Sequence, residues 1–260
     1  MKSIAYPGSK GADGVWQTIL NNIPPHDTWI EAFAGSAVIT RRKKLAGCSL
    51  VIDSDADVCR GLVESFGGRD EGQAAFAFGR PDLDNSGQTA ARGVTVICDD
   101  AIRWLTRNKA KLNERTVVYC DPPYLFATRT GGRRRRYGHE FGEEYLHGEL
   151  LAGLLKLSAL KVKILISGYR HGLYDAMLDA WRRVDYGVSA HGSPRTESLW
   201  CNFAEPGELH DYRVVGGDFR ERERLKRKRQ RWVARLHRMP ALERSVLLSA
   251  IDEWRAAALA

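Results

Sequence analysis

Apolar and polar positions along the chain fall into two kinds of short run that alternate. Runs of about five mostly β-branched or aromatic residues read as strands buried on both faces. They are Thr28–Phe33, Ser49–Asp53, Val94–Cys98, Val117–Cys120 and Lys163–Ser167. Between and after them lie stretches with the three-and-four spacing of amphipathic helices. These cover about Ala37–Leu45, Ala56–Phe66, a segment through Trp104 and Leu105, Glu143–Leu157 and Leu173–Ala180. Two further strands are expected near Arg183–Val188 and Ser198–Phe203. Alternation of this kind predicts an α/β fold: a mostly parallel, seven-stranded sheet with helices on both faces.

The pattern fails in two places. From Gly67 to Arg92 it dissolves into Gly, Asp, Gln and Ala with Pro81, which reads as an inserted recognition module or a long surface loop. After Pro206 the strand signal stops, and from about Asp218 two helices are expected, divided at Pro240. The predicted organisation is therefore a main domain over 1–66 and 93–205, a short insert over 67–92 and a helical extension over 206–260.

A chain of 260 residues can bury one good core with a small appended module. The five cysteines form no CxxC pair, which fits a reduced cytoplasmic protein without disulfides or a zinc site. No apolar run is long enough to span a bilayer, and Met1–Tyr6 carries no signal-peptide core. The formal net charge of +8 permits a polyanionic partner. It is unevenly placed. One cluster is Arg129 with Arg133, Arg134, Arg135 and Arg136 in a Gly-rich loop, where four consecutive like charges repel one another. A second runs from Arg220 to Arg238 and reads equally well as a solvated helix face.

The densest chemistry follows the fourth strand, which ends abruptly in Asp121-Pro122-Pro123-Tyr124. Two prolines forbid both a helix and a continued ladder, so the chain leaves the sheet in a stiff turn. That turn offers a carboxylate, a proline carbonyl and an aromatic face, which together suit a flat ring bearing an exocyclic NH2. In doubly wound sheets ligands sit at the carboxyl ends of the strands, and other candidates share that edge. Glu31-Ala32-Phe33-Ala34-Gly35-Ser36 closes the first strand, where Gly35 admits close backbone approach and Phe33 lines the site. With no GxGxxG, a pyrophosphate cradle is disfavoured. Asp53 ends the second strand, placed to accept from ribose hydroxyls, and Asp99 and Asp100 end the third, placed for an adenine amino group. Each acid alone reads equally as a helix N-cap, but capping explains three successive strand ends less easily. An acid-lined pocket without a phosphate loop is compatible with a cationic cofactor such as S-adenosylmethionine. Tyr6-Pro7-Gly8-Ser9-Lys10 makes a tight N-terminal turn, with Lys10 available to a carboxylate such as that cofactor's methionine end.

In their order, Tyr6 to Lys10, Glu31 to Ser36, Asp53 and Asp121 to Tyr124 resemble the Dam-like class of DNA adenine-N6 methyltransferases. His139-Glu140-Phe141, Ile166 to Tyr169 and Arg195 to Phe203 look like its phage-associated members. The resemblance covers about Lys2 to Phe203 and implies a Rossmann-like seven-stranded methyltransferase sheet. It implies that Tyr6, Lys10, Asp53 and Asp121 contact S-adenosylmethionine, with Phe33 and Gly35 forming its loop. It further implies that Asp121, Pro122, Pro123 and Tyr124 receive an adenine flipped from double-stranded DNA. Glu31 and Asp100 join the expected cofactor site, and Arg129 with Arg133 to Arg136 the expected DNA contacts. The class is compatible with a cognate restriction nuclease as partner and with the cytoplasm of a bacterial or phage-infected cell, and leaves the oligomeric state open. Ala32 stands where a proline is common, and the insert is short. Asp-Pro-Pro-Tyr is shared with RNA and protein amino-group methyltransferases, so an RNA exocyclic-amine methyltransferase is the rival enzyme. A non-catalytic nucleic-acid-binding protein with the same fold is the rival of another class. No Pro-Cys occurs, which argues against cytosine C5 chemistry.

Overall fold

The computed structural model describes residues 10–66, 93–129, 141–190 and 193–258. Tyr6, the insert over 67–92 and Arg133 to Arg136 lie outside the described residues.

Seven strands form one sheet: β1 (Thr28–Ala32), β2 (Cys48–Asp53), β3 (Val94–Cys98), β4 (Thr116–Cys120), β5 (Lys163–Gly168), β6 (Arg182–Ala190) and β7 (Ser193–Cys201). Their spatial order is β3-β2-β1-β4-β5-β7-β6. The β1 to β5 neighbours pair in parallel, and β7 lies antiparallel between β5 and β6. This is the expected α/β, Rossmann-like sheet with helices on both faces.

Alternation along each strand feeds two apolar layers. Ile30, Leu50, Val118 and Ile164 meet α4 (Ala101–Asn108), α5 (Glu144–Ser158) and α6 (Gly172–Met177) on one face. On the other, Val51, Val94 and Val96 pack against α3 (Ala56–Phe66). The short α2 (Val38–Arg42) is tied to that same face, because the Trp29 indole N–H donates to the Thr40 hydroxyl at 2.7 Å. A further helix, α1 (Val15–Leu20), packs on α2 and β6 and is not anticipated by the sequence pattern.

Three boundaries differ from expectation for identifiable reasons. α2 stops at Arg42 rather than Leu45 because Lys43 is extended, which turns the chain toward β2. α6 stops at Met177, and the Trp181 amide donates back to Leu178 to close a turn before β6. β7 starts at Ser193, well before Ser198, because Ser193–Glu197 pairs with β6 alone while β5 meets only Ser198–Cys201. That two-stranded end carries little apolar signal, having no sheet neighbour on its other side.

The chain divides into two compact units, Met1–Tyr212 and Arg213–Ala260. The division falls after Tyr212 rather than after residue 205, because the intervening segment docks on the first unit. The His210 amide donates to the Ile23 carbonyl at 3.0 Å, its ring stacks on His26 at 3.9 Å, and Asp211 accepts from the Lys44 amide at 2.8 Å. In the second unit lie α7 (Phe219–Arg238) and α8 (Ala241–Ala258), divided at Pro240 as expected. Asp218 caps α7 by accepting from the Glu221 amide at 2.8 Å. No helix among the described residues is long and apolar enough to cross a membrane.

Leu151 is fully buried on the α5 face that meets the sheet. Leu151→Ala is expected to lower the unfolding free energy of the chain by about 3 kcal/mol, read from urea denaturation; an unchanged midpoint would contradict this packing.

Candidate active site

Strand order reverses between β1 and β4: the chain steps outward through β2 and β3, then returns to pair β4 on the other side of β1. In open α/β sheets ligands bind outside the carboxyl ends of the strands at such a switch point. Here the loop after β1 and the turn after β4 flank it, tied together where the Asp121 amide donates to the Ala32 carbonyl at 3.4 Å.

The β1 loop is held in an uncommon conformation. Phe33, Gly35 and Ala37 all have positive φ (57°, 50° and 48°), and two of the three carry a Cβ that this region disfavours. Such strain persists only where the surroundings over-determine it, and they do. The Ala34 amide donates to the Ile52 carbonyl at 2.9 Å, and the Gly35 amide donates to Asp53 Oδ2 at 2.8 Å. Beneath the loop Glu31 accepts from the Thr40 amide at 2.7 Å, the Thr40 hydroxyl at 2.5 Å and the Ile39 amide at 3.4 Å. Glu31 thus caps α2, which Ala37 cannot do. Burial pushes its carboxyl up to about 7, against the pull of those donors. This corrects the expectation that Glu31 contacts cofactor: strand alternation turns it inward beside Trp29, toward α2.

Asp53 stands at the end of β2 beside Gly35, and its second oxygen accepts from the Asp55 amide at 3.0 Å. Burial raises its carboxyl, with the two amides working the other way. Asp99 and Asp100 do not join it. Asp100 is the exposed N-cap of α4, accepting from the Arg103 amide at 2.8 Å, and Asp99 pairs with Arg107. Capping is therefore the role the structure gives Asp100, because α4 begins immediately after it.

The turn after β4 is built from behind. Lys10 Nζ donates to Asp121 Oδ1 at 2.7 Å and to the Tyr124 hydroxyl at 2.5 Å, and lies 3.4 Å from Glu197 Oε2. The Tyr124 hydroxyl donates to Glu197 Oε1 at 2.6 Å, and Tyr186 donates to Oε2 at 3.0 Å. Burial works against the Lys10 ammonium, but Asp121, Tyr124 and Glu197 outweigh it and hold it firmly charged. Lys10 is thus engaged on the turn itself, with partners for its three donors, rather than turned out toward a ligand carboxylate. Burial pushes Asp121 up to about 6, with Lys10 opposing and Glu197 adding to the rise. Its side chain remains 20% exposed.

His147 of α5 reaches the same turn from the opposite side. Its Nε2 lies 3.1 Å from the Pro123 carbonyl and its Nδ1 2.7 Å from the Tyr174 hydroxyl. A carbonyl can only accept, so Nε2 carries the proton and Nδ1 accepts from Tyr174. Burial lowers this imidazole to about 4, keeping it neutral. Phe141 packs between His147 and Phe33, at 5.2 Å from each ring. The Tyr124 ring leans on Tyr169 at 4.6 Å, and the Arg195 guanidinium lies 3.9 Å from the Tyr169 ring.

Among the described residues, then, Phe33, Gly35, Asp53, Lys10 and Asp121 to Tyr124 gather at one edge. Arg129, expected on DNA, is a buried brace instead. Its Nε donates to the Tyr124 carbonyl at 2.7 Å and its guanidinium lies over Phe126 at 4.6 Å, because the chain folds back at once after Tyr124. Glu197 and His147 are site residues that sequence reasoning misses. The signals for them are a carboxylate in register with Leu199 and Cys201 on one strand face, and a histidine on the stripe of Leu150, Leu151 and Leu154.

No protein-family profile matches the chain, and no curated protein sequence does. Solved structures of similar course include a SAM-dependent methyltransferase from Agrobacterium tumefaciens, at 12% identity and a TM-score of 0.40, covering 72% of this chain and 58% of that one. An rRNA methylase from Streptococcus thermophilus gives 10% and 0.41, with 72% and 93% covered. The N-methyltransferase NodS from Bradyrhizobium japonicum WM9 gives 8% and 0.45, with 74% and 94% covered. The chain spans less than two thirds of the first of these. At such identities and scores the likeness reaches no further than the general course of an α/β chain.

The His147 geometry has a spectroscopic signature. Long-range 1H–15N correlation should find a neutral imidazole protonated on Nε2, titrating near pH 4; a midpoint near the ordinary 6.5 would contradict the buried contact with Pro123.

Proposed function

We propose that this chain is an S-adenosylmethionine-dependent methyltransferase acting on the exocyclic amine of an adenine flipped out of double-stranded DNA. One observation carries the reading: Asp121 and Pro122 place two acceptors on consecutive residues directly after β4. Lys10 occupies Asp121 Oδ1 and His147 occupies the Pro123 carbonyl. Asp121 Oδ2 and the Pro122 carbonyl have no partner among the described residues. Two acceptors on consecutive residues match the two hydrogens of an NH2 group.

The donor set also fits the cofactor. Asp53, Asp121 and Glu197 outnumber Lys10 at this edge, an acidic balance that suits a positive, phosphate-free ligand. Asp53 with the Gly35 loop would hold its ribose, and Phe33 would line it. When bound, S-adenosylmethionine supplies a methyl carbon that the amine lone pair takes while the carbon–sulfur pair stays on sulfur.

An adenine amino nitrogen is a weak nucleophile because its lone pair is delocalised into the ring. Accepting both N–H bonds at Asp121 Oδ2 and the Pro122 carbonyl favours a pyramidal nitrogen with a localised lone pair. Lys10 at Asp121 Oδ1 and His147 at the Pro123 carbonyl brace the turn that carries those acceptors, so the contribution of the chain is orientation and preset electrostatics. Asp121 is the group toward which the surplus amine proton is directed, and Tyr124 offers its ring to the base. The amine of a paired adenine is engaged in the duplex, which is why the base must be extruded. In this reading Arg133 to Arg136 supply phosphate contacts.

Two measurements test the reading. Methyl transfer from labelled S-adenosylmethionine to duplex DNA, single-stranded DNA and RNA of one sequence should favour duplex DNA; transfer to RNA alone would make the chain an RNA methyltransferase instead. Asp121→Asn should lower the rate by at least about 100-fold while cofactor binding persists, and wild-type rate should fall as pH drops through about 6, where Asp121 takes up a proton and loses an acceptor. An Asn variant as fast as wild type would end the assignment of Asp121.

A further inference from the structure

α7 carries the charge of the whole chain. Its ten arginines and lysines against two glutamates leave a surplus of eight, equal to the formal +8 of all 260 residues. Outside this helix acids and bases cancel.

The charge is ordered. Arg220, Arg224, Arg227, Arg231, Arg235 and Arg238 follow one another at steps of three or four residues, the spacing that puts side chains on one face of a helix. All six are exposed. Only Arg224 among them has an acidic partner among the described residues, Glu221 at 3.5 Å. Six like charges in one row repel one another, and i,i+4 like-charge pairs destabilise a helix. Burial offers no compensation, since none of the helix residues is buried. A row of this kind gains when an external polyanion neutralises it.

We infer that α7 is a docking helix for the phosphodiester backbone of B-form duplex DNA, seated in the major groove. Length and charge distribution favour this partner over other polyanions. Twenty residues span about 30 Å, close to one helical turn of the duplex. Arg222, Lys226 and Arg229 lie on the far side of the helix from the six-residue row, so the helix is basic on both flanks. A major groove has phosphates along both walls and is wide enough for a helix. A bilayer surface has charge on one side only. It would call for an unbroken apolar stripe opposite the basic one, and here Arg222 and Arg229 interrupt the face of Leu225, Trp232 and Leu236. The major groove of duplex RNA is too narrow to admit a helix. The inference rests on α7 alone and does not depend on the chemistry of Asp121.

The test uses the full chain and fluorescence anisotropy with duplex DNA of about two helical turns, duplex RNA of the same sequence and phosphatidylserine vesicles, each across a salt series. Replacing the six arginines of the row with Gln should weaken binding to duplex DNA. It should also make the slope of log K against log salt shallower by about 5, at about 0.9 for each phosphate no longer neutralised. A second variant with Lys at the same six positions should keep the slope, since counterion release counts charge. Glutamine and lysine are both good helix formers, so retained helical circular dichroism distinguishes the removal of charge from the melting of the helix. An unchanged slope in the Gln variant, a flattened slope in the Lys variant, duplex RNA bound as tightly as duplex DNA, or vesicles bound in preference to both would each overturn the inference. Methyl transfer by the Gln variant at substrate saturation should remain, so failure here is distinguishable from failure of the proposed chemistry.

Discussion

One buried ammonium, Lys10, answers for two carboxylates and a phenol at the carboxyl edge of the sheet. Charges taken out of water are costly unless paired and hydrogen-bonded, and removing one partner of such a group leaves the others uncompensated. Asp121 follows β4 and Glu197 lies in β7, strands that are not neighbours, so Lys10 fixes the spacing between two separate parts of the sheet. Through Glu197 the same constraint reaches Tyr124 and Tyr186, and through Tyr186 it reaches Ser167, which bonds Tyr119 at 2.9 Å. Burial raises Tyr119 and Tyr186, with Asp121 adding to the rise in both, so these phenols stay protonated, and Tyr186 donates to Glu197.

The loop after β1 follows a different logic. It carries three left-handed residues in five, each non-glycine one costing on the order of 1–3 kcal/mol. Glu31 offsets this from below and Asp53 from the side, each by accepting backbone N–H groups that the strained path leaves pointing at it. Two acids that look like ligand contacts in the sequence thus have prior structural duties. Asp53 differs from Glu31 in place: its carboxylate lies at the strand terminus, whereas Glu31 is one residue deeper and faces α2.

Most of the sheet was legible because its inner strands are buried on both faces and read as unbroken apolar runs. The strand-end placement of Asp53 and Asp121 followed from that. What escaped depended on tertiary partners. Nothing local marks Lys10 as the counterion of a residue 111 positions away. His147 reads as an ordinary interruption of an apolar stripe until Pro123 and Tyr174 are brought to it. Arg129 groups in sequence with the arginines that follow it, although its packing on Phe126 places it with the turn. Asp100 shows the limit of reading acids by strand position alone, since its helix begins at the next residue and claims its side chain first.

The concentration of charge on α7 has a consequence for how the molecule divides its labour. With acids and bases balanced elsewhere, the sheet-bearing body exerts little long-range pull of its own on a polyanion. If α7 docks a duplex as inferred and Asp121 receives the base as proposed, capture and chemistry reside in different parts of the chain and answer to different conditions: ionic strength governs how often a polyanion is met, and pH governs the state of the carboxylate that meets it. Such a partition would let either property drift without disturbing the other, and would make the second unit a portable handle whose transfer to another enzyme carries affinity without specificity.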